Sequence, residues 1–174
     1  MELTAPFDVL AWLNPHTSHG RALSDSELVD VLHFSLMWNV FEGRACRRHA
    51  TVSAIRRFVT KLRDRGRLSP GAFEPYLAHY RARYLTDGEP NERFAQLNFR
   101  QGECEPLVED VLRGNLTDLN NIVLALVLVV YRLWNNLYHG EKNVFSLPGQ
   151  DESFAVANRL LATLLDLALV WKQR

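Results

Sequence analysis

Arg132, Asn135, Asn136 and His139 stand close together at the end of the most apolar stretch of the chain, and Gly140 follows them. Histidine moves protons near neutral pH, arginine grips phosphate with a planar fork, and asparagine can orient either. On one helix, Arg132 and His139 are separated by seven positions, which at about 100° per residue returns them to nearly the same face, roughly 10 Å apart along the axis. These types together suit metal-independent cleavage of a phosphodiester, with a ribose 2′-hydroxyl activated and the pentavalent phosphate held by the guanidinium. The same residues also suit a plain helix end, because a histidine near the terminal carbonyls is favoured by the helix dipole.

A second concentration of chemistry lies earlier. Arg44 to Arg67 holds nine basic residues and one acid, Asp64. Arg44, Arg47, Arg48, Arg56, Arg57 and Lys61 are the cations expected to meet a nucleic-acid backbone, with Lys142 beside the first cluster. Val52, Ile55, Phe58, Val59 and Leu62 recur at helical spacing among them, so the charges decorate an amphipathic helix. A local field of this strength attracts phosphates. It can equally be a solvated face that offsets acids elsewhere, since the whole chain sums to a formal charge of +0.

The elements that would position these groups read as helices. SDSE at Ser24–Glu27 is a capping box, and the helix it opens is expected to run to a stop at Gly43 with Leu28, Leu32, Leu36 and Val40, flanked by Val29 and Phe41, on its apolar face. A core or groove role is expected for His33, Trp38 and Asn39 within it. Phe73, Leu77, Tyr80 and Tyr84 step by four, three and four after Pro70 and Pro75, which predicts a short helix with an aromatic stripe. Thr86–Glu92 reads as a loop, and 94–100 as loop or a short helical turn. Glu103–Arg113 carries acids at its front and Arg113 at its end, as a helix dipole prefers, and Gly114 ends it. Ile122 to Tyr131 is apolar without a break. Its β-branched content is compatible with a buried strand, but the stretch to Tyr138 is longer than ordinary strands of about 3–10 residues, so a helix is predicted. A last helix from near Asp151 presents Phe154, Ala157, Leu161, Leu164, Leu165, Ala168 and Trp171. The expectation is all-α: a single-domain bundle of five to six helices over residues 1–174, with no convincing strand.

YRLWNNLYHGEK resembles the signature of the HEPN superfamily, in which an arginine, four to six residues and a histidine close the penultimate core helix. Members often read RNNLFHG followed by a lysine, and Asn135, Asn136, Leu137, Tyr138, His139, Gly140 and Lys142 match that form. The resemblance implies an all-α bundle that dimerises so that two motifs meet in one cleft. It further implies a metal-independent endoribonuclease of toxin–antitoxin or phage-defence systems, acting on RNA, often beside a small nucleotidyltransferase-type antitoxin. By position His139 would be the general acid/base and Asn135 the motif's polar residue. The arginine departs from the pattern: Trp134 occupies the usual place, and Arg132 lies two residues earlier, which still satisfies the six-residue spacing. Either Arg132 serves as the catalytic arginine, or the domain is a degenerate HEPN module that binds nucleotide, RNA or a protein partner.

The remaining features are bland. Cys46 and Cys104 are far apart and form no CxxC, so free thiols in a reducing compartment are expected. His16 and His19 have HxxH spacing without a Cys, Asp or Glu nearby to complete a metal set, and neither metal nor cofactor is expected. The first residues carry Glu2 and Asp8 where a signal peptide would be basic. The unbroken apolar run is shorter than the 18 or so residues of a membrane span. A cytoplasmic protein without a membrane partner is the expectation.

Overall fold

Ser24 accepts a hydrogen bond from the backbone N–H of Glu27 while the Glu27 carboxylate takes the Ser24 N–H at 2.9 Å, so the predicted capping box opens the first helix. In this computed structural model residues 24–138 and 151–169 are described, together with Asp8, Ala11, Trp12 and Pro15. Among these residues seven helices follow one another: α1 Asp25–Ala45, α2 Val52–Asp64, α3 Pro70–Tyr84, α4 Glu92–Ala95, α5 Glu105–Arg113, α6 Leu119–Tyr138 and α7 Asp151–Leu169. The architecture is all-α, with one addition. Leu85–Thr86 (β1) and Glu89–Pro90 (β2) pair antiparallel around Asp87 and Gly88, where a loop was expected. Both turn residues have positive φ, 54° and 82°, the backbone of a tight hairpin turn that Asp-Gly favours.

α6 is the centre of the bundle. Helices α2, α3, α5 and α7 all pack on it, while α1 lies chiefly along α7. From Val123 to Val130 every side chain is buried, so no polar face is needed and the β-branched run is helix rather than strand. By length and composition α6 could cross a membrane, but 67% of its most apolar window is buried inside the fold, as for a core helix. The aromatic stripe of α3 (Phe73, Leu77, Tyr80, Tyr84) is core as predicted. So is the apolar side of α7 through Phe154, Ala157, Leu161, Leu164 and Leu165, and Trp171 lies outside the described residues.

α1 differs from expectation in two respects. It continues through Gly43 to Ala45, so the glycine is not its stop. Its buried side is Phe34, Trp38 and Phe41, each 0% exposed: Trp38 is core and Phe41 lay on the flank of the expected face, but Leu32, Leu36 and Val40 at the centre of that face are not buried. Val29, Leu32, Leu36 and Val40 instead form an outward stripe, each 44–57% exposed. The helix is apolar on both sides, and the aromatic side wins because rings bury more surface and find ring partners. Phe34 stacks on Phe154 at 4.9 Å, Trp38 on Trp134 at 5.5 Å, and Phe41 meets Phe58 edge-on at 5.5 Å.

Candidate nucleic-acid interface and the motif helix

The motif residues of α6 face in different directions. Arg132 is 0% exposed, and each guanidinium nitrogen donates a hydrogen bond. Nε reaches the Leu97 carbonyl at 2.9 Å, Nη1 the Glu103 carboxylate at 2.8 Å, and Nη2 the Asn136 Oδ1 at 2.9 Å. Asn136, one turn later on the same face, donates from Nδ2 to the carbonyls of Gln96 and Leu97 at 3.1 and 3.0 Å. Glu103 Oε2 also accepts the Arg100 N–H at 2.7 Å. Arg132 and Asn136 therefore clamp the segment between α4 and α5, where the Leu97 carbonyl would otherwise be buried without a partner.

Trp134 points the other way, about 200° around the helix from Arg132. It sits among aromatic rings, 6.1 Å from Phe34, 5.5 Å from Trp38 and 4.0 Å from Tyr138. Arg132 and Trp134 thus serve opposite walls of α6. Asn135 is buried at 7% exposure. The description of α6 ends at Tyr138, so His139, Gly140 and Lys142 lie outside the described residues, as do His16 and His19. Tyr138 is half exposed, and its hydroxyl hydrogen-bonds Ser35 of α1, between Leu32 and Leu36. The described end of the motif helix thus borders the outward apolar stripe.

The basic residues, in contrast, converge. Thr51 caps α2 by accepting the Ala54 N–H at 3.1 Å, and the helix buries Ala54, Ile55, Phe58, Val59 and Leu62 as its spacing predicts. That burial turns its charged face outward, toward the end of α1. A cavity of about 760 Å³ opens there. Arg44, Arg47, Arg56, Arg57 and Lys61 line it, five of the predicted cations, and Arg65 and Arg67 complete the rim. Arg48 is exposed nearby but does not line it. Among the described residues, Arg44, Arg47, Arg57 and Arg67 form no ion pair. Partial desolvation, then the charges of Arg65 and Arg47, hold the Lys61 ammonium below its usual range.

The turn between α1 and α2 is built to present this rim. Arg47 and Arg48 both adopt left-handed backbone, φ 56° and 70°. That conformation costs an L-residue roughly 1–2 kcal/mol. Glu42 holds it: its carbonyl accepts the Cys46 and Arg48 N–H groups at 3.1 and 3.0 Å, and its carboxylate takes the Ala50 N–H at 2.8 Å. Beneath the turn Cys46 is buried, and desolvation, with the Glu42 charge and against Arg57, pushes its thiol up to about 12. Such a thiol is inert at neutral pH.

Comparison with protein-family models, with curated proteins and with solved structures returns no match for this chain.

Among the described residues no group of three or more His, Cys, Asp or Glu stands together as metal ligands. Sequence reasoning did not foresee Glu103 as the partner of Arg132, although an arginine inside an apolar helix demands a buried acceptor set. It also did not foresee that Leu165, Leu167 and Ala168 of α7 would floor the basic cavity, because nothing local to α2 signals a distant helix.

Proposed function

We propose that the protein is an RNA-binding module of the HEPN kind, in which the arginine of the motif helix maintains the fold and the α1–α2 cations engage the phosphates. The observation that carries this reading is the gathering of seven cations around one cavity, while Arg132 spends all three guanidinium nitrogens inside the protein. A buried arginine with a full set of acceptors has no fork left for a phosphate. Surface arginines without ion-pair partners do.

Fluorescence anisotropy with a labelled RNA at several salt concentrations tests the proposal. If about five phosphates are neutralised, log K should fall against log salt with a slope of about −3.5, at roughly −0.7 per phosphate for a single strand. Arg57→Glu should weaken binding to every RNA sequence and flatten that slope. Affinity indifferent to salt would remove the electrostatic basis of the reading.

The string Asn135–Lys142 and the stripe on α1 favour a second reading, an endoribonuclease with His139 as its acid/base. Pairing of two copies through Val29, Leu32, Leu36 and Val40 would bring two α6 ends, each beside its own Ser35, toward a common cleft. The phosphate-holding cation would then come from a residue other than Arg132. Incubation with total RNA decides it: cleavage by the wild type and none by His139→Ala supports the enzyme, and intact RNA in both ends it.

A further inference from the structure

The basic face is not a flat stripe. Its cations ring a cavity whose floor is apolar, made by Phe58 and Leu62 of α2 with Leu165, Leu167 and Ala168 of α7. Asp64 is the one acid among the described lining residues, and its Oδ1 already accepts two hydrogen bonds from Arg63. Thr60 adds a hydroxyl. A volume of about 760 Å³ falls within the range of about 300–1,000 Å³ typical of pockets that enclose an organic ligand.

This combination restricts the ligand. Arg44, Arg47, Arg57 and Arg67, which form no ion pair among the described residues, already exceed what one carboxylate can neutralise, so a single-headed fatty anion is a poor match. A double helix has the charge but keeps its bases inside, and it would lie across the mouth leaving the apolar floor empty. A single strand offers both parts, several phosphates for the rim and an unstacked base whose apolar ring face can lie on the floor.

Resting on the RNA-binding reading, we infer that the cavity receives an unpaired base of single-stranded RNA while the surrounding cations hold the flanking phosphates. With few polar atoms in its floor, the cavity grips the base by contact rather than by its hydrogen-bonding edge, so it is tolerant of sequence. The strained Arg47–Arg48 turn fits this role, since a conformation that costs stability is kept where it positions a cation at the mouth.

Anisotropy of the full chain with three probes at one salt concentration tests the inference: a mixed-sequence single-stranded 12-mer, the same strand carrying abasic sites, and the 12-base-pair duplex. The intact strand should bind about tenfold more tightly than either other probe, the ratio expected when one stacked or enclosed base is worth about 1–3 kcal/mol. Ala168→Trp, which fills the floor, should erase that preference by weakening the intact strand to the affinity of the abasic one. Equal affinity for all three probes with a normal salt slope overturns the cavity inference and leaves the RNA reading standing. A preference that survives Ala168→Trp also overturns it. Failure to bind any of the three overturns both. The abasic comparison uses the wild-type chain, so the inference can fail even if the tryptophan variant does not fold.

Discussion

Replacing Arg132 by alanine separates a residue that holds the fold from one that holds substrate. The substitution leaves the Glu103 carboxylate, the Leu97 carbonyl and Asn136 Oδ1 without the donors they meet at 2.8, 2.9 and 2.9 Å. Arg132 is 0% and Glu103 13% exposed at the side chain, so water reaches the abandoned carboxylate poorly. Removing one partner of a buried pair costs about 3–5 kcal/mol. For a chain of this size each kcal/mol moves the melting temperature by roughly 2–4 °C, so a loss of roughly 6–20 °C is expected. Urea unfolding followed by circular dichroism gives the free energy. Arg132→Met with Glu103→Gln should recover most of it, because taking away both charges removes the uncompensated one. RNA affinity of the folded fraction should match the wild type. An alanine variant within about 1 kcal/mol of the wild type, with RNA affinity or cleavage lost, would refute the structural assignment.

Arg48→Gly should stabilise the protein by about 0.5–1 kcal/mol in urea unfolding, since relief of left-handed strain exceeds the glycine's entropic cost; a loss of stability would mean the turn is not strained. The Cys46 thiol, raised to about 12, should resist alkylation in the native state. Because its folded value lies above the unfolded one, the stability is intact below about pH 9 and is lost as pH rises toward about 12. Tyr84, pushed up to about 12 chiefly by desolvation, adds to that alkaline loss, and a flat denaturation profile across this range would contradict both burials. His79 is shifted downward by desolvation, with Arg83 adding to the shift and Glu152 opposing it. The stability it lends is present above about pH 6.5 and is lost as pH falls through its folded value, so His79→Gln should flatten the acid limb of a urea-midpoint profile. Leu36→Glu, at a side chain 57% exposed, should leave the melting temperature within about 1–2 °C. On the paired reading it should also convert a dimer to monomer in sedimentation, and a wild-type chain that sediments only as a monomer ends that reading.

Where one face of a helix was charged, its buried face could be read directly. α2 is the clear case: the cations leave only Ala54, Ile55, Phe58, Val59 and Leu62 for the core, and those are the residues it buries. α1 misled because Leu32 and Leu36 repeat as regularly as Phe34, Trp38 and Phe41, and spacing cannot rank two apolar faces. The ranking comes from Trp134, Phe154 and Phe58, on three other helices. The packing of Arg132 was hidden for the same reason. Its relation to His139 is local and can be counted along one helix. Its relation to Glu103 spans 29 positions and exists only after α4 and α5 have folded against α6. Helix existence was legible, and the buried side was legible on α2, α3 and α7 but not on α1, where two apolar faces compete.

The formal charge of +0 had counted against an electrostatic function, but only an averaged field would feel that balance. At physiological ionic strength charges beyond about 8 Å are largely screened. A phosphate at the cavity mouth therefore responds to the nearby cations of the α1–α2 rim and little to acids on the far side of the bundle. Asp64, the one acid among the described lining residues, is already paired with Arg63 at 2.8 Å. A neutral chain can thus present a strongly positive surface to a partner that touches only this face. That partner should lose affinity steeply with salt although the protein as a whole carries no net charge.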